Sequence, residues 1–250
     1  MDRIDLWKKA SALRRQLGED SQSPIDIFTL AYNIERLSVV FYPMGDRLSG
    51  MCVKSPRNNV IAINSGMSVG RQRFSMAHEL FHLYFDTTLA TSICATKIGS
   101  GQQIEKDADR FASYFLMPPD SLAEAIALIK SSNNSKLTVS SIVKLEQHFG
   151  VSRQAILFRL VEDNELANKE TEFMRQNIIR SATSLGYDDS LYKPLPPEKQ
   201  YMTYGYYIKQ ADEILSKGLV SIGKYEELLL DAFRTDLVYG NTGEGGELID

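Results

Sequence analysis

The chain has 250 residues, of which 43% are hydrophobic and 24% charged, enough for one large folded domain or two small ones. A net charge of -4 excludes the global positive field that holds DNA or an anionic membrane. No apolar run reaches the roughly 18 residues needed to span a bilayer, and the mixed-charge start Met1 to Lys9 has no apolar signal core. Only two cysteines, Cys52 and Cys94, are present; they make no disulfide scaffold, and the expectation is a reducing, cytoplasmic setting.

In chain order, Ile4, Trp7, Ala10, Leu13 and Leu17 recur at helical spacing before Gly18. Ser23-Pro24-Ile25-Asp26 offers a cap and an early proline for a second helix with the stripe Ile27, Leu30, Ala31, Ile34. The character changes at Ser38, where three short strand-like runs (38–42, 48–54 and 59–64) predict a small antiparallel meander, the only clear strand signal in the chain. Helices are predicted near 69–86, 102–117, 120–131, 138–149 and 152–163, and after a composition shift at Asn164 near 166–185, 199–217 and 221–235. The loop 186–199 holds three prolines, and the glycine-rich acidic tail 240–250 is expected to be disordered. The expected fold is α+β: a domain over 1–135 with a small antiparallel sheet packed by helices, a helix-turn-helix-like segment over 136–164, and a mainly helical region over 165–250.

The chemistry concentrates at His78-Glu79-Leu80-Phe81-His82, an H-E-x-x-H pattern that uses two of only three histidines. Residues four apart on a helix lie about 40° apart around its axis, so both imidazoles reach one metal ion, while Glu79 sits about 100° further round. That position suits a base that takes a proton from metal-bound water. The alternative, two ordinary histidines on an amphipathic helix, is much the weaker reading. A catalytic zinc needs a third protein ligand and an open fourth position. Phe85 and Thr88 stand where a metzincin would place glycine and histidine, and His148 is remote, so a carboxylate is expected.

The next helix supplies Glu105 and Asp109 on one face, flanked by the small residues Ala108 and Ala112. The preferred assignment makes Glu105 the ligand, with Asp109 accepting a hydrogen bond from the other nitrogen of His78 or His82. Asp109 itself, then Asp107 or Asp86, are the rival ligands. Cys94 is a further rival, but a thiolate would fill the position that catalysis needs open, so a buried or loop thiol is the preferred reading.

The stretches Arg71 to His82 and Glu105 to Pro118, the latter ending Leu116-Met117-Pro118, resemble the two signatures of the ImmA/IrrE family of zinc metallopeptidases. The resemblance covers the upstream strands and the helices to about residue 163. It implies that residues 1–135 form a zincin-like metallopeptidase domain with the two signatures as its active-site helices, and that the first glutamate of the second signature, Glu105, is the third metal ligand. It also implies an intracellular endopeptidase that cuts a regulatory protein, typically a helix-turn-helix repressor or antitoxin.

The expected reaction is Glu79-assisted attack of zinc-bound water on a peptide bond, with Zn2+ as cofactor and another divalent transition metal such as Mn2+ as the substitute. The oxyanion donor is expected outside the two helices, with Tyr42, His148, Tyr201, Tyr204, Tyr206 and Tyr207 as candidates, each read first as ordinary packing. A sheet edge beside the metal is a place for an extended substrate to add as a strand. Residues 138–163, with Lys144, Arg153 and Arg159, look like a helix-turn-helix, but the weak basic character makes DNA binding the lesser role. The competing function is a regulatory or toxin–antitoxin component that acts by protein or DNA binding, with a structural metal site.

Overall fold

The computed structural model describes residues 1–87, 90–132 and 136–240; the tail beyond Gly240 lies outside them. The fold is α+β, as expected. It is built on a five-stranded sheet in the order β4-β2-β3-β1-β5, where β1 is Leu37–Tyr42, β2 Leu48–Val53, β3 Asn59–Asn64, β4 Thr91–Ala95 and β5 Met202–Gly205.

The strands do not form a meander. β2 pairs antiparallel with both β3 and β4, but β3 inserts between β2 and β1 and runs parallel to β1. Composition explains the placement. Ile61, Ala62, Ile63 and Asn64 of β3 are all buried, so both faces of that strand need cover and it takes the central position. β5 pairs antiparallel with β1, in register from Ser38↔Gly205 to Phe41↔Met202. Residues after 165 thereby close one side of the sheet, and a stretch read from sequence as helix over 199–217 divides into β5 and a helix over Tyr206–Ser216.

The helices around the sheet follow the sequence breakers. α1 is Arg3–Gln16, α2 Ile27–Tyr32, α3 Val69–Phe85, α4 Gln103–Leu116, α5 Pro119–Ser132, α6 Val139–Phe149 and α7 Arg153–Glu162. α1 buries Leu6, Ala10 and Leu13, spaced four and three apart, whereas Ile4 and Trp7 of the expected stripe are 54% and 38% exposed. The cap of α2 is Asp26, whose carboxylate accepts from Phe28 N–H. Further on, the predicted helix 166–185 divides into α8, Asn168–Met174, and α9, Ile178–Thr183, broken at Asn177 with φ 49°.

α3 lies across β2 and β3, α4 packs on α3, and α1 covers α4. One continuous core runs through these layers, from Leu37, Val39, Phe41 and Ile61 on the sheet, through Phe74, Ala77 and Phe81, to Ala108, Phe111 and Ala112. The two alanines bring α4 close to the histidine-bearing face of α3.

α6 and α7 meet at Gly150, held in the left-handed region at φ 63°. α7 is a core helix. Arg153 and Arg159 are each 2% exposed. Arg153 is engaged by Glu146, and Arg159 by Asp163 and the carbonyls of Ser113 and Met117. Of the three basic residues that lent this unit its helix-turn-helix look, only Lys144 faces solvent.

Candidate active site

α3 presents His78, Glu79 and His82 from its buried side, all three 6% exposed or less. His78 Nε2 and His82 Nε2 lie 3.2 Å apart. Glu105 reaches in from the first turn of α4, with Oε2 3.3 Å from His78 Nε2 and Oε1 3.5 Å from His82 Nε2. These separations match the edge of a tetrahedron around zinc, about 3.3 Å when each ligand atom is some 2.0–2.1 Å from the ion.

The far nitrogens of both imidazoles are held by carboxylates. Asp109 Oδ1 is 2.8 Å from His78 Nδ1, and its Oδ2 accepts from Gly99 N–H at 2.6 Å. Asp86, the residue that ends α3, places Oδ2 3.0 Å from His82 Nδ1. With Nδ1 of both rings held by carboxylates, both Nε2 atoms point into the gap shared with Glu105, where a bound metal would take the place of a proton. From sequence alone Asp86 ranks only as a remote rival ligand. A carboxylate four residues past His82 is a local signal for this partnership, but its use depends on the chain turning back at the helix end.

Glu79 faces the sheet rather than the gap between the imidazoles. It is fully buried, and neither of its oxygens has an N–H or O–H donor. The sheet makes room for it at Gly50, where a β-carbon would stand 2.7 Å from Glu79 Oε1. Across the β2–β4 ladder Gly50 is paired with Cys94, and the thiol interacts with the Glu79 carboxyl. Burial pushes the Glu79 carboxyl up to about 7, against the pull of His78. For His78, burial opposes the charge, but the hydrogen bonds of Asp109 and Glu105 outweigh it and raise the group to about 10. Glu105 is held below its ordinary value: burial works against its charge, and the His78 contact and the two imidazoles overcome that. Burial pushes the Cys94 thiol well up.

Cys94 is the residue that the motif reading set aside. It is fully buried on β4, and its Sγ, the two imidazoles and Glu105 all bring ligand atoms within 4.8 Å of one another. Asp107, another rival, points elsewhere: it takes the N-terminal ammonium of Met1 at 2.7 Å and Gln103 at 2.8 Å.

A cleft of about 440 Å³ opens over the cluster between β4 and α4, lined by His78, Ser92, Ile93, Lys97, Glu105 and Asp109 among others. None of the tyrosines proposed as oxyanion donors lines it, nor does His148. Tyr204 stacks on Tyr32, and Tyr42 packs edge-on against Tyr201.

The family model described as the IrrE N-terminal-like domain, a peptidase family, matches residues 35–161. The chain belongs to this family. The match spans β1 to β4, both helices of the cluster and nearly all of α7, and it stops short of β5. The radiation response metalloprotease IrrE of Deinococcus deserti is 28% identical over 141 residues, 55% of this chain and 47% of that protein. The chain thus spans about half the length of this curated relative. Among the described residues no helix is long and apolar enough to cross a membrane.

Proposed function

We propose that this IrrE-like chain is a zinc-dependent endopeptidase in which His78, His82 and Glu105 hold the metal and Glu79 is the general base. The observation that carries the reading is the convergence of two Nε2 atoms and one carboxylate at 3.2–3.5 Å beside a buried carboxylate with no N–H or O–H donor. The donor set suits zinc: two imidazoles already oriented by Asp109 and Asp86, and a carboxylate 25% exposed toward the cleft. Mn2+ is the substitute that the same nitrogen and oxygen donors admit. When bound, such a metal supplies Lewis acidity that lowers the pKa of water and polarises a scissile carbonyl.

Glu79 does the proton work. A buried carboxyl near 7 takes a proton from the attacking water and returns it to the leaving amine without a large penalty in either direction. Asp109 and Asp86 keep each imidazole in one tautomer throughout. The substrate lies along β4, which pairs with β2 and, among the described residues, ends the sheet. A peptide extended along its free edge forms a sixth strand and brings its backbone over Glu105. Lys97 in the cleft is a cation near the developing negative charge.

The substrate class we propose is a specific regulatory protein, a repressor or antitoxin of the helix-turn-helix kind, inside the cell. Two unpaired buried cysteines support a reducing compartment. DNA is the lesser partner, because the α6–α7 unit buries two of its three basic residues. Incubation of metal-loaded wild type and Glu79→Gln with the regulator encoded beside this chain, followed by mass spectrometry, tests the reading. Fragments from wild type alone are expected. Equal cleavage by Glu79→Gln, or an intact regulator with both, overturns it.

A further inference from the structure

We propose that Cys94 is a fourth, displaceable ligand that closes the metal site, so that the resting protein is latent. The proposal rests on the zinc-site reading above and deepens it. β4 alternates exposed and buried residues, which turns Ser92 and Cys94 toward α3 while Ile93 faces outward, 61% exposed. Pairing with Gly50 puts Cys94 opposite the one β2 position without a side chain. Nothing on that strand screens the thiol from the cluster. Its Sγ, His78, His82 and Glu105 lie within 4.8 Å of one another. A tetrahedral zinc site with one sulfur needs separations of about 3.5 Å, so a shift of roughly 1 Å in a flexible cysteine rotamer completes it.

Ligation breaks the Cys94 S–H bond, forms a sulfur–metal bond and releases the proton to water. Two imidazoles, a carboxylate and a thiolate make a closed set, the pattern of a structural site. A structural site has no use for Glu79, a buried carboxylate beside it with no N–H or O–H donor. That residue is the reason to regard the closure as reversible. Opening is the reverse exchange: the sulfur–metal bond breaks, Cys94 takes up a proton, and water enters. The strand that carries Cys94 inward is also the free edge along which a substrate would add, so substrate docking acts directly on the strand that holds the plug.

Cobalt(II) titration of the full chain tests this, since cobalt occupies zinc sites and reports its ligands by absorption. The wild type is expected to show tetrahedral visible bands together with a near-ultraviolet thiolate-to-cobalt charge-transfer band. Cys52→Ser should keep that band, and Cys94→Ser should lose it and bind zinc at least about 10-fold more weakly in competition with a chromogenic chelator. Because the chain has only two cysteines, the band in Cys52→Ser alone assigns the ligand even if Cys94→Ser fails to fold. Visible bands in the wild type without charge transfer, or charge transfer that persists in Cys94→Ser, overturn the Cys94 proposal and leave the metal site standing. No cobalt binding in the wild type, or equal binding by His78→Ala, overturns the site itself.

Discussion

Glu79 and Glu146 are both wholly buried glutamates, and the chain treats them oppositely. Glu146, on α6, is fully engaged. Arg153 forks onto both of its oxygens, with Nη2 3.1 Å from Oε2, and Tyr192 O–H donates to Oε2 at 2.8 Å. Arg153 extends the cluster to Met174 O at 2.5 Å and Ser181 Oγ at 3.0 Å, which ties α8 and α9 to α7. Glu79 has no N–H or O–H donor, and a weakly donating thiol, Cys94, stands beside it. A buried carboxylate costs several kcal/mol to leave without partners. A fold that spends a network on one carboxylate and withholds it from the other marks the first as architecture and the second as chemistry.

Substitution separates the two roles. Glu79→Gln is expected to reduce cleavage by about 10²–10⁴-fold, the usual contribution of a general base, with zinc still bound. Its melting temperature should equal or exceed that of the wild type, because an amide has no charge to bury. Arg153→Ala should do the reverse. It strands Glu146 as an uncompensated charge and lowers stability by about 3–5 kcal/mol in denaturant titrations, while cleavage per folded molecule holds. Arg153→Met with Glu146→Gln should recover most of that loss. If Glu79→Gln destabilised the fold as much as Arg153→Ala, the contrast between the two carboxylates would collapse.

The chemistry of the site was more legible than its surroundings. His78, Glu79 and His82 lie within five residues of one helix, and Glu105 and Asp109 within one turn of the next, so helical periodicity alone groups them. Cys94 and Asp86 are different. Cys94 reaches the cluster only through the register of β4 on β2, and a five-residue strand with one isoleucine, Thr91–Ala95, carries too little pattern to announce itself. Asp86 depends on how the chain leaves α3. β5 has the local pattern of a helix because Met202-Thr203-Tyr204-Gly205 runs straight into Tyr206–Ser216, and only long-range pairing with β1 extends it. The parallel β1–β3 pair is equally invisible locally: short turns suggest neighbours in sequence order, whereas burial of both faces of β3 sets the actual order.

The pH dependence of stability sharpens the comparison. Burial lifts the Glu79 carboxyl from its ordinary 4.5 to about 7 in the folded chain. A carboxyl raised by folding contributes stability that is fully present below about pH 4.5 and is lost as pH climbs through about 7. Metal-free wild type should therefore fall behind Glu79→Gln across that window, by on the order of 3 kcal/mol at its upper end. Thermal unfolding of both proteins in a chelator from pH 4.5 to 8 reads the gap. At Glu146, burial also pushes the carboxyl up, but Arg153 and Tyr192 pull it part of the way back, so wild type and Glu146→Gln should diverge far less with pH. Parallel curves for wild type and Glu79→Gln would mean that Glu79 is solvated or partnered after all.

The smallest expected effects lie in the two carboxylates behind the imidazoles. Asp109 has two obligations, Nδ1 of His78 and the amide of Gly99, one on each oxygen. An asparagine has only one acceptor oxygen, so Asp109→Asn must abandon one of the two and turn its amide hydrogens toward a donor. At His82, Asp86→Asn trades the charged acceptor of Nδ1 for a neutral one. Zinc affinity should fall by about 10- to 100-fold for either substitution, the range for such partners, and competition with a chromogenic chelator reads each loss. Unchanged affinity in either variant would mean that its carboxylate does not set the strength of the imidazole as a ligand.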